Sequence, residues 1–399
     1  LQENPTDFAK AVAKAIDSPE EIPSFTNSAM DGFAVFSRDT FGATTTDPVS
    51  LAVRGLIPAG DRAAFERAEA NPSGYVVEIM TGAPVPDAKY DAVVRIEDVT
   101  VERNATGDAT QIYLKKPISA GENVRLKGTD FSVGQEAVAV NTCFGPEHIL
   151  ACASLGIQSV QVYAFPKVAI ISTGSELVTC DEPTLQPGMI RNSTAPFLLS
   201  ALQGIGVEAK YYGVVRDDVE VYKKVLDRAL SDGAEIIIST GAVSMGKFDF
   251  LTDVLEQMQA KLYFHKSAIR PGKPILFAEL VQGNRRCAFF GVPGNPVSTA
   301  VGLRFFIEPY LRAIVQLPRE VPYPAALLKN SAKPDGLRCF FKGRVQLGAQ
   351  GLVVEALKGQ ASYIVSALAQ ANCWVVFSEA QTQVEAGSSV EVFSFQNSF

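Results

Sequence analysis

The sequence predicts a multidomain protein that combines α/β and β architecture. Its 399 residues are too many for one typical domain and correspond to two to four. Residues 167–315 alternate strand-like and helix-like stretches, the pattern of βαβ units around a doubly wound parallel sheet. Residues 22–134 and the chain beyond 318 carry short β-rich runs separated by turn residues. We therefore expect a central α/β domain between two mainly β regions.

The N-terminal part is predicted to contain strands and two helices. Apolar residues recur at helical spacing from Asn4 to Ile16, which predicts a short amphipathic helix. The apolar stretch 146–155 predicts a second helix, and Pro166 marks the expected start of the α/β region. Strands are expected at 75–80, 92–96, 111–114 and 160–163.

The α/β region has apolar runs at 168–171, 235–238 and 288–290, which are typical of strands buried on both faces of a sheet. A further strand is expected at 211–215. Its helices are expected at 193–204, 219–230, 250–258 and 297–314. After a Pro-rich segment, the strands of a small C-terminal β domain are expected at 340–347, 351–355, 373–377 and 389–393.

Charge and composition exclude several classes of function. The formal charge is −7, from 36 Lys and Arg against 43 Asp and Glu, which argues against a nucleic-acid-binding protein. Only two histidines occur, so a poly-histidine metal site is excluded. The six cysteines form no CxxC pair, and no apolar run is long enough for a membrane span. A reducing, cytoplasmic location is the expectation.

Three loops of the α/β region are predicted to share one pattern: a buried strand, then Gly with small hydroxyl residues, then a helix. They are STGSE at 172–176, STGAVSMG at 239–246 and GVPGNP at 291–296. Such loops line the crevice at the carboxyl ends of parallel strands, where backbone N–H groups bind anions. In any single loop the Gly can simply serve a tight turn, but three in one sheet indicate a phosphate-bearing ligand.

The middle loop also suggests a rival interpretation. Residues 241–247 spell GxxxxGK, the first seven positions of a Walker A phosphate loop. The eighth position should carry a magnesium-binding hydroxyl, and here it is Phe248. A P-loop nucleotide hydrolase therefore stays as an alternative that lacks one metal ligand.

Carboxylates and basic residues flank these loops. Strand-end carboxylates at Glu176, Asp217, Asp218 and Asp249 are of the kind that holds Mg²⁺ against substrate phosphates. Either Asp217 or Asp218 can instead be the N-cap of the following helix. The segment HKSAIRPGKP at 265–274 concentrates positive charge in an acidic chain, which suits a small oxyanion, although a solvated face is the alternative.

Taken in order, several segments resemble the molybdopterin molybdenumtransferase family, which includes the MoeA proteins and the gephyrin E domain. The matching segments are NSAMDGFA at 27–34, IMTGAP at 79–84, the pattern Gly121, Arg125, Gly128 and Asp130, STGSEL at 172–177, VRDD at 215–218, the loop 239–246 with Asp249, RPGKP at 270–274 and GVPGNPVS at 291–298. The resemblance runs from about residue 22 to the C-terminus.

The resemblance implies a molybdenum insertase that transfers molybdate to adenylylated molybdopterin and releases AMP, with Mg²⁺ or another divalent cation. It implies a homodimer whose active sites lie between the α/β domain of one chain and other domains of its partner, and a molybdopterin-adenylylating enzyme or domain as a further partner. It also implies four domains: an elongated domain of helix and strand, split between 1–22 and 135–165, a β-rich domain at 23–134, the α/β domain at 166–317 and a C-terminal β-barrel-like domain at 318–399. The gephyrin branch leaves a scaffolding or receptor-binding module as an alternative.

The resemblance also implies the site residues. Those expected to be catalytic are Asp31, Thr81, Asp130, Glu176, Asp217 and Asp249, and Asp217 and Asp249 are the expected metal ligands. Those expected to bind substrate are Ser244, Lys266, Arg270, Lys273, Pro293, Pro296, Arg344 and Ser362. In this assignment the basic residues and Ser362 meet molybdate or the anionic dithiolene end of the substrate.

Overall fold

The computed structural model describes residues 11–69, 74–86, 90–216, 218–241 and 250–395. These residues fall into two compact units. The first consists of Ala15–Ala139 and Glu147–Val160, and the second contains the rest of the described chain. Within the described ranges, no helix is long and apolar enough to cross a membrane.

The first unit is built on a six-stranded sheet with the order β6-β3-β5-β4-β8-β7. Its strands and the short pairs beside them are β1 (Ile16–Asp17), β2 (Asn27–Ser28), β3 (Gly32–Val35), β4 (Val49–Ile57), β5 (Tyr75–Ile79), β6 (Ala92–Arg95), β7 (Val99–Arg103), β8 (Ala109–Leu114), β9 (Val124–Arg125) and β10 (Glu136–Val138). The helices are α1 (Arg62–Glu69) and α2 (Pro146–Ser154). The predicted β-rich character and the helix at 146–155 are confirmed, whereas α1 has no counterpart among the predictions.

Both faces of this sheet are covered. In β3, Phe33 and Val35 enter one apolar cluster and Ala34 enters the other, because successive side chains point to opposite faces of a strand. All four residues of β3 are therefore buried.

The helix predicted at 4–16 is wrong where the structure describes it; residues 4–10 lie outside the described residues. Ala11 and Val12 are extended and form bridges to Cys143 and Val162. Ala11 packs with Val315 and Leu317, so partners distant in sequence override the helical spacing. Val162 forms only this isolated bridge, in place of the strand predicted at 160–163.

The second unit contains the predicted α/β layer structure, around a sheet with the order β14-β11-β15-β19-β18-β16. The strands are β11 (Val168–Thr173), β12 (Leu177–Val178), β13 (Ile190–Arg191), β14 (Ala209–Val215), β15 (Ile236–Thr240), β16 (Lys261–His265), β17 (Ile269–Arg270), β18 (Leu276–Gln282) and β19 (Arg285–Val292). The helices are α3 (Thr194–Gly204), α4 (Val219–Ser231), α5 (Leu251–Gln257), α6 (Pro296–Gly302) and α7 (Glu308–Ile314), with a π-helical turn at Leu303–Ile307 joining the last two.

The first four strands of this order are parallel, and β18 and β16 add to the edge in antiparallel orientation. Alternate residues of β11 enter two cores. Val168 and Ile170 pack with α3 and α6, whereas Ala169 and Ile171 pack with α4 and α5. Helices thus cover both faces, which confirms the doubly wound architecture and explains why the strand is apolar throughout.

The C-terminal region closes into a β-barrel, as predicted. Its elements are β20 (Tyr323–Leu327), β21 (Ser331–Ala332), β22 (Arg338–Gly348), β23 (Gly351–Ala356), α8 (Val365–Gln370), β24 (Cys373–Phe377), β25 (Gln383–Val384) and β26 (Ser389–Ser394). The sheet order is β17-β22-β23-β20-β26-β24, and an additional β22–β24 pairing closes it. Strand β17 of the α/β region pairs with β22, which joins the barrel to the α/β layers.

Candidate active site

The three Gly-containing loops converge at the carboxyl edge of the parallel sheet. The Thr173 hydroxyl donates to the carbonyl oxygen of Thr240 at 3.0 Å, which ties the first loop to the second. The backbone N–H of Gly241 donates to the carbonyl oxygen of Val292 at 3.0 Å, which ties the second loop to the third. The register of β11, β15 and β19 sets this arrangement, because all three strands end at the same level.

Two glycines are required by this close approach. Gly174 has a φ of 140°, and a Cβ there would lie 2.6 Å from the Glu176 carboxylate. Gly241 has a φ of 93°, and a Cβ there would collide with the carbonyl oxygen of Thr173. L-residues rarely adopt such φ values, so both positions favour glycine, and at Gly241 the missing side chain also lets the second loop approach the first.

The loops enclose a crevice of about 590 Å³, a volume suited to a nucleotide-sized ligand. Pro293 and Pro296 line it as expected, and Pro296 is the first residue of α6. The described lining residues are Thr173, Gly174, Glu176, Leu177, Ile190, Arg191, Asn192, Ser193, Thr194, Thr240, Gly241, Pro274, Pro293, Gly294, Asn295, Pro296 and Tyr363. The lining combines hydroxyl, amide and backbone groups with apolar side chains, among them Leu177, Ile190 and the prolines.

A buried polar network that no sequence motif indicated underlies the crevice floor. Its centre is Asn192, which is 4% exposed. The Asn192 side-chain amide donates to the Ser172 hydroxyl at 3.0 Å and to the Tyr211 hydroxyl at 2.8 Å. The Asn192 Oδ1 accepts from the Thr194 hydroxyl and from the backbone N–H of Ala195, at the start of α3. Asn192 therefore joins β11, β14 and α3.

The expected acidic residues are only partly within the described chain. Glu176 lines the crevice, and its carboxylate lies over Gly174. Asp217, Ser244 and Asp249 lie outside the described residues. Asp218 is the N-cap of α4: its carboxylate accepts from the backbone N–H groups of Glu220 and Val221, at 3.0 Å each, which confirms the capping alternative for one of the two aspartates.

The basic segment forms a tight loop between β16 and β18. The backbone N–H of Lys266 donates to the carbonyl of Ile275, and that of Ser267 donates to the carbonyl of Lys273. Lys266 and Lys273 thus lie on facing arms of the loop, both exposed. Arg270, also exposed, lies at its far end in β17.

Arg270 lines a second cleft of about 350 Å³, between the basic loop and the barrel. The other lining residues are Pro271, Ala332, Lys333, Pro334, Phe341 and Gln360. The barrel arginine nearest to the basic loop along the β17–β22 pairing is Arg338, whose backbone N–H donates to the carbonyl of Ala268. Arg344 lies further along β22, where its guanidinium donates to the carbonyl of Gln370 at 2.8 Å.

Ser362 connects the barrel to the crevice. Its carbonyl oxygen accepts from the backbone N–H of Val297 at 3.0 Å, in the first turn of α6. The next residue, Tyr363, is 70% exposed and lines the crevice. No sequence pattern marked Tyr363 as a site residue.

Of the three site residues expected in the first unit, two are hydrogen-bonded to each other, Asp31 and Thr81. The Asp31 carboxylate accepts from the Thr81 backbone N–H at 2.7 Å and from the Thr81 hydroxyl at 2.9 Å. These two hydrogen bonds, the backbone one first, lower the pKa of Asp31. Asp130 is exposed, and its backbone N–H donates to the carbonyl of Ile22.

Three family models match the chain in order, and together with the fold and crevice they define the class of protein. "MoeA N-terminal region (domain I and II)" matches residues 3–156, "Probable molybdopterin binding domain" matches 169–313 and "MoeA C-terminal region (domain IV)" matches 324–395. By its architecture this is a MoeA-type protein, and the three-loop crevice lies in the region that matches the molybdopterin-binding model.

Relatives support the same conclusion over nearly the whole chain. A molybdopterin molybdenumtransferase of Synechococcus elongatus is 37% identical over 96% of this chain and 92% of its own length. One of Haemophilus influenzae is 34% identical over 96% and 91%. The chain belongs to the molybdopterin molybdenumtransferase family. Among solved structures, a molybdopterin biosynthesis moeA protein of Pyrococcus horikoshii is 26% identical, with a TM-score of 0.78 over 97% of this chain and 92% of that one.

Proposed function

We propose that this protein is a molybdenum insertase, which transfers molybdate to adenylylated molybdopterin and releases AMP. The observation that carries the proposal is the convergence of three hydroxyl- and Gly-containing loops into one crevice at the carboxyl edge of the sheet. Backbone and hydroxyl groups at such an edge suit phosphate oxygens. The names of the full-length relatives supply the reaction.

In this proposal the crevice holds the nucleotide and pterin phosphates. Glu176 and the loop of Pro293 and Pro296 form the described walls, and Ser244 contributes from the middle loop. Among the described lining residues, Glu176 supplies one carboxylate of the kind that Mg²⁺ prefers, and no group of three His, Cys, Asp or Glu able to hold a metal occurs among the described residues. Asp217 and Asp249 would hold the cation, which when bound polarises the phosphoanhydride.

The basic loop is proposed to bind the oxyanion. Lys266, Arg270 and Lys273 carry positive charge on one short segment of an acidic chain, and fixed cations stabilise oxyanion charge during transfer. Ser362 lies where the barrel meets α6, and Arg344 is proposed as a further barrel cation.

Asp31, Thr81 and Asp130 are proposed as further catalytic residues of this reaction. The Asp31 carboxylate is oriented by both Thr81 donors, so its position is set before substrate binds. The two hydrogen bonds from Thr81 favour the ionised form of Asp31, which is why its pKa is lowered.

We further infer a cytoplasmic homodimer with nucleotide-binding sites, which receives its substrate from a molybdopterin-adenylylating enzyme or domain. No disulfide joins any of the six cysteines, all of which lie in described ranges, and reduced thiols fit a reducing compartment. The four-domain division, with boundaries near 22, 134, 165 and 317, is part of this proposal. Light scattering on the purified protein tests the dimer.

The experiment is AMP release from adenylylated molybdopterin, measured with and without molybdate and Mg²⁺. Asp249→Asn should abolish molybdate-dependent release, and Arg270→Ala should raise the KM for molybdate more than it lowers kcat. Glu385→Gln, an exposed change in the barrel, is the control and should leave release unchanged. Hydrolysis of ATP or GTP alone would favour the P-loop alternative, and full release by Asp249→Asn would overturn the metal assignment.

A further inference from the structure

A barrel loop forms one wall of the crevice. Residues 359–364 belong to the connection between β23 and α8, and the carbonyl of Ser362 accepts from the backbone N–H of Val297 at 3.0 Å. Tyr363 of the same loop lines the crevice alongside the loop 293–296. The crevice is therefore completed by a side chain that comes from outside the α/β layers.

A buried lysine anchors this loop through hydrogen bonds to its backbone. Lys342 of β22 is 0% exposed. Its ammonium donates to the carbonyl oxygens of Gly359 at 2.6 Å, Ala361 at 3.1 Å and Ile364 at 3.3 Å. Three carbonyls of one short loop thus converge on one cation, which uses all three ammonium donors. Burial lowers the pKa of Lys342, and the carbonyl oxygens offset the loss of water around its charge.

A second anchor acts on the backbone of the same lysine. Gln360 accepts from the backbone N–H of Lys342 at 2.9 Å and donates to its carbonyl oxygen at 2.9 Å. The Gln360 amide also donates to the carbonyl of Leu357 at 2.7 Å. Side chain and backbone of Lys342 therefore determine the conformation of the loop together.

The residue that this anchored loop presents is unusual for the crevice. Tyr363 is the one aromatic residue among the described residues that line it. The residue is 70% exposed, although the backbone of its loop is held by hydrogen bonds. An aromatic ring on a fixed backbone loses little entropy when it binds, because only two side-chain torsions have to be ordered.

We propose that Tyr363 is a specificity-determining contact that stacks on a planar nitrogen heterocycle of the ligand, with Lys342 as the positioning residue behind it. The inference rests on the proposed function, because adenylylated molybdopterin carries two such rings, adenine and pterin. Offset stacking on a tyrosine is favourable for either ring. Backbone N–H groups contact a phosphate and not the ring attached to it, so an aromatic contact supplies discrimination between ligands that differ in their ring.

Calorimetric titration of the full chain tests the contact with three probes: AMP, pterin-6-carboxylate and ribose 5-phosphate, which has no ring system. Tyr363→Ala should weaken binding of AMP or of the pterin by about 5- to 100-fold and leave ribose 5-phosphate unchanged. Tyr363→Phe, which keeps the ring, should retain most of the affinity. Tyr323→Ala is the matched control, since Tyr323 is 55% exposed on β20. Which probe responds identifies the ring that Tyr363 contacts.

A double-mutant cycle tests the positioning role. If Lys342 acts through Tyr363, Lys342→Met weakens ring binding in the wild-type background and has no further effect on Tyr363→Ala. A merely structural role would weaken binding equally in both backgrounds. Should Lys342→Met fail to fold, Gln360→Ala takes its place in the cycle, because it loosens the same loop without stranding a buried charge.

The inference is overturned if Tyr363→Ala binds AMP and the pterin as tightly as the wild type, or if it weakens ribose 5-phosphate to the same extent. The turnover assay separates it from the proposed function. If the wild type releases AMP in a molybdate-dependent manner but Tyr363→Ala does not weaken ring binding, this inference is wrong and the proposed function is unaffected. If Tyr363→Ala weakens ring binding but the wild type shows no molybdate-dependent AMP release, the proposed function is wrong and the aromatic contact is still supported.

Discussion

Replacing Asn192 by alanine should destabilise the α/β layers by about 3 kcal/mol. The Asn192 side chain makes four hydrogen bonds, to Ser172, Tyr211, Thr194 and Ala195. At about 1 kcal/mol for each net hydrogen bond, their loss amounts to about 4 kcal/mol. Because Asn192 borders the crevice, water can reach some of the stranded groups, which reduces the expected loss.

The assay is urea denaturation followed by tryptophan fluorescence. The only tryptophan, Trp374, is 2% exposed and belongs to the same apolar cluster as Leu198 of α3, so its emission reports on this core. Asn284→Ala, in the exposed β18–β19 turn, is the control and should change stability by at most about 0.5 kcal/mol. A loss below about 1 kcal/mol for Asn192→Ala would refute the claim that this network joins β11, β14 and α3.

Two further predictions concern ionisable groups. Thr81→Val removes the hydroxyl donor but keeps the stronger backbone donor, so the pKa of Asp31 should rise part of the way to its ordinary value, measured by carboxyl carbon NMR. Because the pKa of Asp31 is lowered on folding, its stabilising effect is present above the unfolded-state pKa and is lost as the pH falls through the folded-state pKa; in Thr81→Val that loss should be complete at a higher pH. An unchanged pKa would contradict the hydrogen-bond explanation. Burial raises the pKa of Cys287 to about 12, so iodoacetamide at pH 8 should label the exposed Cys180 and leave Cys287 intact by mass spectrometry. Equal labelling of the two thiols would show that Cys287 is accessible.

Most strand and helix positions of the α/β region could be predicted because its helical periodicity is strong and its central strands β11, β15 and β19 contain apolar runs. The antiparallel strands β16 and β18 were missed because they are partly exposed and carry polar residues among the apolar ones. The helix predicted across Ala11 and Val12 failed for a related reason. Both residues are buried against chain segments more than 100 residues away, and such contacts outweigh local preference.

The parts of the candidate site that could be predicted are those marked by short sequence patterns. Gly with hydroxyl residues after a buried strand is a local pattern, and the three loops that carry it do meet in one crevice. Asn192 and Tyr363 were missed because their roles arise from neighbours 20 or more residues away in sequence, such as Ser172 for Asn192 and Val297 beside Tyr363.

By itself the sequence determined the acidic character of the chain, the α/β layers between β regions, the scarcity of histidine and the ordered motifs that mark the family. Tertiary structure alone decided which loops touch, which aspartate caps α4, and which barrel loop reaches the crevice. The physical reason is that side-chain chemistry and periodicity are properties of short segments. Hydrogen bonds such as those from Lys342 to the loop 359–364 depend instead on strands pairing and a barrel closing, which bring residues distant in sequence within bonding distance.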